Sequence, residues 1–477
     1  MAARDIVITP QSWTPRGEAL VRGSRKDLVL WNAIPGEPAV AHLYHEGENQ
    51  DLARVIRPAE APHRYRREPP CDRFNPCGGC PLMHLTPEGQ ALARLTLVRD
   101  ALAAFDLREL TPQALVSAQD GDAGFRHLLK LSIGYSDLGH LRVGVHGRDS
   151  QMIVPIPECV VATPVLREAM KVVSHHIRDL AVPPYDPEQD RGILRNVVLR
   201  QSRHSGELMV TLIAGRKLPL LWELAERIAG GLSAVVGVHL HLNHGPGADV
   251  FLRDGQGIGD SVLLRGKETM EERLGELRVA VGAGDLYPTN PGLYERLVMD
   301  LVSGLVRDRA RPAVDLYCGV GGTTMALAAQ HGWACGIETF EAPIDRAREN
   351  AALNRSAAEF LVGDAASMLA EAGRRLQGTG PVVCVNPARR GLEAGVAEGV
   401  RALQPSRLAY QSCNPRALAR DLADFLAHGW KVDRLVAYDL YPQTAHVELL
   451  AHLSPPQAPE ASRRAPRRKV VREERRP

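Results

Sequence analysis

One cysteine of this 477-residue chain lies where a nucleophile could be placed. Cys413 occurs in Tyr410-Gln411-Ser412-Cys413-Asn414-Pro415, between an apolar run that predicts a strand and a segment, 417–422, that predicts a helix. The residue before a proline is driven out of the α region, so the chain turns at Asn414. A cysteine at such a turn is partly exposed, and the following helix N-terminus favours its thiolate. The alternative is a small buried apolar residue, the usual state of a free cysteine.

Three further cysteines, Cys71, Cys77 and Cys80, lie in one short segment. Gly78-Gly79 allows this segment to curl so that the three thiols can face one centre. A closed metal site needs a fourth ligand, and Cys159 is the candidate because the remaining cysteines lie in the C-terminal part. Four thiolates suit either zinc or an iron–sulfur cluster. A chance grouping of unliganded thiols is the alternative.

A glutamate close to the end of the chain is the candidate base. Glu448 lies inside the apolar run Val447-Glu448-Leu449-Leu450, directly after Gln443-Thr444-Ala445-His446. A glutamate near a buried edge can have a raised pKa and serve as a base. The alternative is an outward-facing charge at a strand edge.

The C-terminal third contains a glycine-rich loop between a strand and a helix. The run Ala313–Tyr317 predicts the strand, Cys318-Gly319-Val320-Gly321-Gly322 the loop, and Thr323–Gln330 the helix, while a second strand ends at Glu338. Such a loop allows close approach to a nucleotide, and the acid can accept both ribose hydroxyl groups. A solvated charge is the alternative for Glu338, and the nucleotide can be a dinucleotide or S-adenosylmethionine.

Two more predicted strands end in polar residues. One ends at Val362-Gly363-Asp364, where Asp364 could meet an adenine amino group, and Val382–Val385 leads into Asn386-Pro387-Ala388-Arg389. Strands that alternate with helices predict a parallel sheet. Ligands bind at the carboxyl ends of the strands in such a sheet, which is where all these residues lie.

The remaining chain predicts the elements around these residues. Residues 1–60 contain short β-like runs that are typical of a small barrel. The segment 54–73 adds arginines and Tyr65, which suit phosphate contact and base stacking, although an exposed linker is the alternative. Residues 86–108 predict a helix. The stretch 125–280 predicts a mixed, strand-rich region, with strands at Leu128–Tyr135, Leu141–Val145, Val197–Leu199, Leu208–Ile213 and Val235–Leu242, and helices at Val165–Leu180 and Leu220–Ala229.

Composition is typical of soluble globular proteins, with 44% hydrophobic and 24% charged residues. No apolar run approaches membrane-spanning length and the N-terminus has no apolar signal region, so we expect a cytoplasmic protein. Its eight cysteines should then bind metal, react or pack rather than form disulfides. Although the net charge is only +2, residues 462–477 carry eight basic against two acidic residues. This tail should be disordered, either solvated or in contact with phosphate.

Taken together, these motifs resemble the RNA 5-methyluridine methyltransferase family, of the TRAM-domain and iron–sulfur type that modifies 23S rRNA. The resemblance covers nearly the whole chain except the tail. Ser412-Cys413-Asn414-Pro415 with Arg420-Asp421 matches the nucleophile motif, and 443–448 matches the motif of the catalytic base. The resemblance therefore implies Cys413 as nucleophile and Glu448 as general base of a uracil-C5 methyltransferase.

The resemblance also implies two cofactors. S-adenosylmethionine would be held by residues at the strand ends and the glycine loop, namely Tyr317, Gly319, Gly322, Glu338, Asp364 and Asn386. Cys71, Cys77, Cys80 and Cys159 match the four cluster ligands of the family, which favours a [4Fe–4S] cluster over zinc.

The implied fold is α/β, a Rossmann-like class I methyltransferase domain with an N-terminal TRAM/OB-like β-barrel and a central α+β cluster-binding domain. We expect boundaries at 1–62 for the RNA-binding barrel, 63–283 for the cluster domain, 284–453 for the methyltransferase domain and 454–477 for the basic tail. The implied partner is RNA, most simply 23S rRNA, without a membrane and as a monomer. The alternatives are a transfer RNA methyltransferase and a non-catalytic RNA-binding relative.

Two positions depart from the family pattern. Tyr287-Pro288-Thr289-Asn290 stands where the family has an aromatic-Gln-Val-Asn motif, and Asn386-Pro387-Ala388-Arg389 stands where it has Asp-Pro-Pro-Arg. The chain thus loses one amide and one negative charge near the cofactor or base. A cysteine hydrolase that uses Cys413 and His446 is a third alternative, but it explains neither the glycine loop nor the cysteine group.

Overall fold

The computed structural model describes residues 4–118, 121–247, 249–254, 257–259, 261–305, 311–376 and 378–456. The basic stretch 462–477, predicted to be disordered, lies outside the described residues. Within the described part of the chain, no helix is long and apolar enough to cross a membrane.

The N-terminal region is a six-stranded sheet with its own apolar core. Its strands are β1 (Arg4–Ile8), β2 (Ser12–Trp13), β3 (Ala19–Val21), β4 (Asp27–Trp31), β5 (Ala39–Glu46) and β6 (Gln50–Pro58). They are hydrogen-bonded in the order β1-β5-β6-β4-β3-β2, and only the β4–β6 pair is parallel. The short strands expected here are confirmed, while closure into a TRAM barrel stays a prediction.

A linking segment follows this sheet and contains the three neighbouring cysteines. Its elements are α1 (Phe74–Cys77), α2 (Pro87–Ala103) and β7 (Leu115–Val116). Helix α2 begins where the sequence changes from turn residues to a cap: the Thr86 side chain accepts a hydrogen bond from the Gly89 amide, and Pro87 takes the first helical position.

The middle region is a seven-stranded sheet with two helices packed on it. Its elements are β8 (Leu128–Tyr135), β9 (Leu141–His146), β10 (Ile153–Val154), α3 (Pro164–Asp179), β11 (Leu194–Gln201), β12 (Leu208–Ala214), α4 (Leu220–Gly231), β13 (Val235–Leu242), β14 (Arg253–Asp254), β15 (Gly257–Ile258), β16 (Ser261–Gly266), β17 (Thr269–Leu274) and β18 (Leu277–Gly282). The sheet order is β10-β9-β8-β11-β12-β13-β16, and β14–β15 and β17–β18 are separate pairs. The strand-rich pattern predicted for 125–280 is confirmed.

The C-terminal region alternates strands with helices. Its elements are α5 (Pro291–Ser303), β19 (Ala313–Leu316), α6 (Gly322–His331), β20 (Ala334–Glu338), α7 (Glu341–Asn354), β21 (Ala358–Val362), α8 (Ala365–Leu376), β22 (Val382–Val385), α9 (Val396–Ala402), β23 (Arg407–Ser412), α10 (Pro415–Ala427), β24 (Lys431–Tyr438) and β25 (Glu448–Ser454). The seven strands of this region form one eight-stranded sheet with β7, in the order β21-β20-β19-β22-β23-β25-β24-β7.

The first five strands of that order are parallel, and β25 runs antiparallel to both β23 and β24. All residues of β19 and β22 are buried, as expected for parallel strands covered on both faces by helices. The carboxyl ends of the parallel strands therefore meet at one edge of the sheet, which agrees with the predicted α/β class.

Candidate active site

Cys413 lies at the sharp turn between β23 and α10, as the sequence predicts. The Asn414 amide donates to Ser412 Oγ at 3.2 Å, and the Asn414 side chain caps α10 by accepting from the Arg416 amide at 3.1 Å. The turn leaves Cys413 half-buried at the end of a strand whose other residues are largely buried. The alternative of a fully buried packing residue is therefore wrong.

Glu448 lies beside Cys413. In the antiparallel β23–β25 pair, Gln411 is opposite Leu450 and Ser412 is opposite Leu449, so the next opposed positions are Cys413 and Glu448. Opposed residues of an antiparallel pair place their side chains on the same face. The two residues are far apart in sequence, yet the end of this pair brings the candidate nucleophile and the candidate base together.

The carboxyl group of Glu448 is buried and retains its proton unusually well. Its exposed fraction is 5%, and burial raises its pKa to about 7. Gln411 Nε2 donates to Glu448 Oε1 at 3.0 Å, and this bond and the nearby charge of Arg389 both lower the pKa. The outward-facing alternative is thus wrong, and the group can exchange a proton near neutral pH.

The pKa of the Cys413 thiol differs from what the sequence led us to expect. Burial, and secondly the neighbouring Glu448, raise the pKa of Cys413, although the α10 N-terminus was expected to favour the thiolate. Arg389 opposes both effects through its charge and a hydrogen bond from its guanidinium to the thiol. Arg389 and the backbone amide of Cys413 itself both lower the pKa, but they do not offset burial and the charge of Glu448.

Arg389 and Gln411 are functional candidates that the sequence reasoning missed. Arg389 follows β22, and its carbonyl oxygen accepts from Asn414 Nδ2 at 2.7 Å, which ties this loop to the Cys413 turn. Gln411 precedes Cys413 by two residues and donates to Glu448 at the same end of β23. That spacing of two was the available signal for Gln411.

Arg420-Asp421, the second part of the nucleophile motif, fixes the surrounding loop. Asp421 Oδ2 accepts from the Tyr410 hydroxyl at 2.5 Å and from the Leu392 amide at 2.9 Å. Arg420 Nε donates to Asp421 Oδ1 at 2.8 Å. These bonds join α10 to β23 and to the loop after β22, so they position the turn rather than touch its reactive atoms.

The predicted cofactor residues lie at neighbouring strand ends. Tyr317 follows β19 with a φ of 65°, a backbone conformation that is uncommon for residues other than glycine, and its hydroxyl donates to Glu393. The Gly319 amide donates to Glu338 Oε2 at 3.3 Å, which brings the glycine loop and the end of β20 together. Gly322 is the first residue of α6.

The other two predicted cofactor residues follow β21 and β22. Asp364 Oδ1 accepts from the Ser367 amide at 3.0 Å, so this carboxylate also stabilises the start of α8. Asn386 is half-buried, and its amide donates to the Leu316 carbonyl at 3.3 Å. The predicted strand ends are thereby placed along one edge, while contact with a nucleotide stays a prediction.

All four predicted cluster ligands line one pocket. Cys71, Cys77, Cys80 and Cys159 share it with apolar side chains that include Met83. Burial raises the pKa of the first three thiols, to about 12 for Cys80, and neighbouring cysteines add to each increase. Cys159 therefore joins the other three although it lies far along the chain.

A metal group at these cysteines stays a prediction. Among the described residues, no group of three or more His, Cys, Asp or Glu side chains is arranged to hold a metal ion. Zinc would require sulfurs at about 2.3 Å from a common centre, whereas an iron–sulfur cluster would distribute its thiolates over several metal ions.

The departure at Pro288 leaves the neighbouring helix cap in place. Asn290 Oδ1 accepts from the Leu293 amide at 3.3 Å and caps α5. Thr289 accepts a hydrogen bond from the His127 amide on its carbonyl oxygen at 2.8 Å.

His446, the base of the alternative hydrolase, packs its ring against Tyr441 at 5.9 Å between centroids. The charged neighbours that shift the pKa of the Cys413 thiol are Glu448 and Arg389.

Comparisons with known proteins show which chains are similar to this one. The sequence profile of the tRNA (Uracil-5-)-methyltransferase family matches residues 293–454. An uncharacterized RNA methyltransferase of Parasynechococcus marenigrum is 31% identical over 446 residues, which cover 92% of each chain. One from Halalkalibacterium halodurans is 29% identical over 458 residues, 94% of this chain and 97% of that protein.

A solved structure shows the same fold. It is the Pyrococcus abyssi tRNA (uracil-54, C5)-methyltransferase in complex with S-adenosyl-L-homocysteine, with a TM-score of 0.72 and 22% identity, covering 94% of this chain and 100% of that one. Because a relative above 30% identity matches nearly end to end, this chain belongs to the RNA methyltransferase family whose C-terminal region has the tRNA (uracil-5-)-methyltransferase signature.

Proposed function

We propose that this protein transfers a methyl group from S-adenosylmethionine to carbon 5 of a uridine in RNA, through a covalent adduct between Cys413 and the uracil ring. The observation that carries the proposal is that Cys413 and Glu448 adjoin the last opposed pair of β23 and β25, Ser412 and Leu449, and that Glu448 raises the pKa of Cys413. Family membership and the S-adenosyl-L-homocysteine named for the Pyrococcus protein support the reaction class.

The first step overcomes the poor nucleophilicity of carbon 5. The Cys413 thiolate forms a bond from Sγ to carbon 6, and the electron pair of the 5,6 double bond moves into an enolate over carbons 4 and 5 and O4. Arg389 lowers the pKa of Cys413 in the free protein, so it would stabilise the thiolate before attack. Since the pKa of Cys413 is raised, only a minor fraction of the thiol is ionised at neutral pH.

The second step attaches the methyl group. S-adenosylmethionine would supply an electrophilic methyl group. The bond between its sulfur and the methyl carbon would break with the electron pair staying on sulfur, and the methyl carbon would bond to carbon 5 of the uracil. Residues at the ends of β19 to β22 would hold S-adenosylmethionine, namely Tyr317, Gly319, Gly322, Glu338, Asp364 and Asn386. Glu338 would accept hydrogen bonds from the ribose hydroxyl groups.

The last step restores the ring and the enzyme. Glu448 removes the proton from carbon 5, the C–H electron pair re-forms the 5,6 double bond, and the bond from carbon 6 to Cys413 breaks with its pair returning to sulfur. A base with a pKa of about 7 is well matched to this task at neutral pH. Gln411 fixes the orientation of the carboxylate through the bond to Oε1.

The remaining regions would hold the RNA. The target base must leave its stack, at a cost of a few kcal/mol, before it reaches Cys413. We assign this binding to the N-terminal barrel (1–62), the cluster domain (63–283) and the basic tail (454–477) around the methyltransferase domain (284–453). Exposed Tyr44 on β5, with Arg148 at 5.4 Å from its ring, has the character of a stacking surface.

We further assign a [4Fe–4S] cluster to Cys71, Cys77, Cys80 and Cys159. Their shared pocket supports this choice. The cluster would be a structural or redox group of the central region, and no step of methyl transfer is assigned to it.

A labelled-methyl assay tests the proposal. Wild-type protein should label carbon 5 of uridine in 23S rRNA or transfer RNA fragments, and mapping the product distinguishes the two substrates. Cys413→Ala should abolish labelling, whereas Cys335→Ala, which removes a buried thiol from β20, should retain it. Full turnover by Cys413→Ala would contradict the nucleophile. Cofactor binding without any methylated RNA would favour a non-catalytic relative, which the changes at Pro288 and Asn386 make the leading alternative.

A further inference from the structure

The loop between β24 and β25, which leads into Glu448, contains a buried residue with an unusual backbone conformation. Gln443 has a φ of 70° and an exposed fraction of 1%. A left-handed conformation in a residue other than glycine persists only where the surroundings fix it. The residues that fix Gln443 lie more than 300 positions earlier in the chain.

Each polar group of Gln443 has a partner in the segment before β8. Its Nε2 donates to the carbonyl oxygen and Oδ2 of Asp122 at 3.0 and 2.7 Å. Its Oε1 accepts from Gln90 Nε2 at 2.9 Å and Arg67 Nη2 at 3.0 Å. Its amide donates to Gln90 Oε1 at 3.0 Å, and its carbonyl accepts from the Leu82 amide at 2.9 Å. Six hydrogen bonds therefore hold one side chain and its peptide groups.

The neighbouring loop residues are held by the same segment. Arg94 of α2 donates to the Thr444 carbonyl at 2.9 Å and to Asp439 Oδ2 at 2.5 Å, and both of these partner residues are buried. Ala445 packs closely against the N-terminal sheet: a Cβ placed on Gly17 would lie 2.9 Å from the Cβ of Ala445. The loop has little freedom while these contacts exist.

Two short routes connect this loop to the cysteine pocket. Leu82, whose amide binds Gln443, follows Cys80 by two residues. Met83 lines the pocket, its amide donates to the Cys80 carbonyl at 3.1 Å, and its carbonyl accepts from Arg67 Nε at 3.1 Å. Arg67 in turn donates to Gln443, so both routes end on the same residue.

We infer that Gln443 is a positioning residue that fastens the Glu448 loop to the cysteine segment, so that the conformation of 80–83 determines where the catalytic base lies. This inference rests on the proposed function for the role of Glu448, but the mechanical connection does not. The side chain touches no reacting atom. It keeps the loop closed over Glu448, which keeps the carboxyl group out of water.

The expected consequence is a change in the protonation of Glu448. The groups that face it are Gln411, Cys413, Arg389, Tyr441 and Tyr294. Burial is the largest cause of its raised pKa, so an opened loop that admits water should lower that pKa toward the ordinary value. A variant whose fold is only destabilised would lose activity, but the midpoint of the acid limb of its pH–rate profile would not move.

The test compares Gln443→Gly with a matched control. Glycine tolerates the positive φ and removes the side-chain bonds, and Gln404→Gly changes an exposed glutamine that also has a positive φ, of 50°. Amide exchange of 441–448 should quicken about tenfold, the effect of about 1.4 kcal/mol, in Gln443→Gly alone. The acid limb of the rate profile should move to lower pH, with an unchanged Kd for S-adenosylmethionine. If residues 441–448 of Gln443→Gly exchange their amide protons at the wild-type rate, the inference is overturned.

The reciprocal experiment perturbs the other end in the full chain. Cys80→Ala should quicken exchange in 441–448, and Cys335→Ala should not, provided that β11 and β12 keep wild-type exchange as a sign of an intact fold. Arg67→Met interrupts one route without touching a cysteine and should give a smaller increase of the same kind. If amide exchange in 441–448 is unchanged in Cys80→Ala and in Arg67→Met, the connection is refuted. These exchange results stand even if no methylated RNA is found, in which case only the proposed function fails.

Discussion

Replacing Gln411 by methionine should move the acid limb of the pH–rate profile upward. Gln411 is 4% exposed and donates to Glu448 Oε1 at 3.0 Å. Methionine keeps the length of the side chain but cannot donate. The carboxylate form of Glu448 then loses a stabilising hydrogen bond, whereas the protonated form loses much less, so the pKa rises.

The size of this shift follows from the bond. A hydrogen bond to a charged group contributes about 1.5–3 kcal/mol, and about 1.36 kcal/mol corresponds to one pKa unit. The pKa of Glu448, about 7 in the wild type, should rise by about 1–2 units. The ionised fraction at pH 7 falls from about one half to roughly 1–10%, so the proton-removal step should slow by about 5- to 50-fold.

A single-turnover assay between pH 6 and 9.5 separates this effect from the ionisation of Cys413. The thiol titrates in both proteins, so most of its own ionisation cancels in the ratio of variant to wild-type rates, which then follows Glu448. That ratio should be lowest below pH 7 and should approach one at the alkaline end. Gln330→Met is a matched control, because it removes an amide that donates to the Val302 carbonyl at 2.9 Å, far from the site. A ratio for Gln411→Met that is constant with pH would refute the reasoning.

Glu448→Gln should abolish turnover yet stabilise the fold above pH 7 by about 3 kcal/mol. The wild-type carboxyl group titrates at about 7 when folded and near 4.5 when unfolded, so folding stability falls as pH rises between these values. Urea unfolding at pH 5 and 8.5 checks this, and a difference independent of pH would contradict it. Arg94→Met should cost about 3–5 kcal/mol because Asp439 stays buried without its partner, whereas Arg296→Met, at an exposed pair, should cost about 0.5 kcal/mol or less in the same measurement. Asn386→Asp should tighten S-adenosylmethionine binding about tenfold by restoring a carboxylate near the cofactor ammonium, and an unchanged Kd in calorimetry would count against that placement.

Local patterns in this sequence predict its elements well. The sequence predicts strands at Leu128–Tyr135 and Val235–Leu242, and the structure has strands with these bounds. The turn at Cys413 is predicted for a similar reason, since Asn414-Pro415 ends the strand and caps the following helix. Each of these features depends on residues within a few positions of one another.

Features that depend on distant parts of the chain are not predicted. Nothing local indicates that β25 rather than β24 pairs with the side of β23 that faces away from β22, yet this pairing places Glu448 beside the thiol. The net increase in the pKa of Cys413 was not predicted, for the same reason. A helix N-terminus is visible in the sequence, whereas burial and a carboxyl group from another strand are not.

The charges of this site also explain why its two acids can coexist. Cys413 and Glu448 are adjacent, and Arg389 is the cation that lowers the pKa of both. Two anions side by side would repel each other, which is one reason that the thiol pKa is raised. The proposed reaction avoids that state, because Cys413 is anionic only until its sulfur bonds to carbon 6. Once sulfur is neutral, the nearby negative charge belongs first to the enolate and then to Glu448. A carboxyl group that titrates at about 7 can therefore stay protonated during attack and ionise for proton removal, with Arg389 balancing one negative charge at a time.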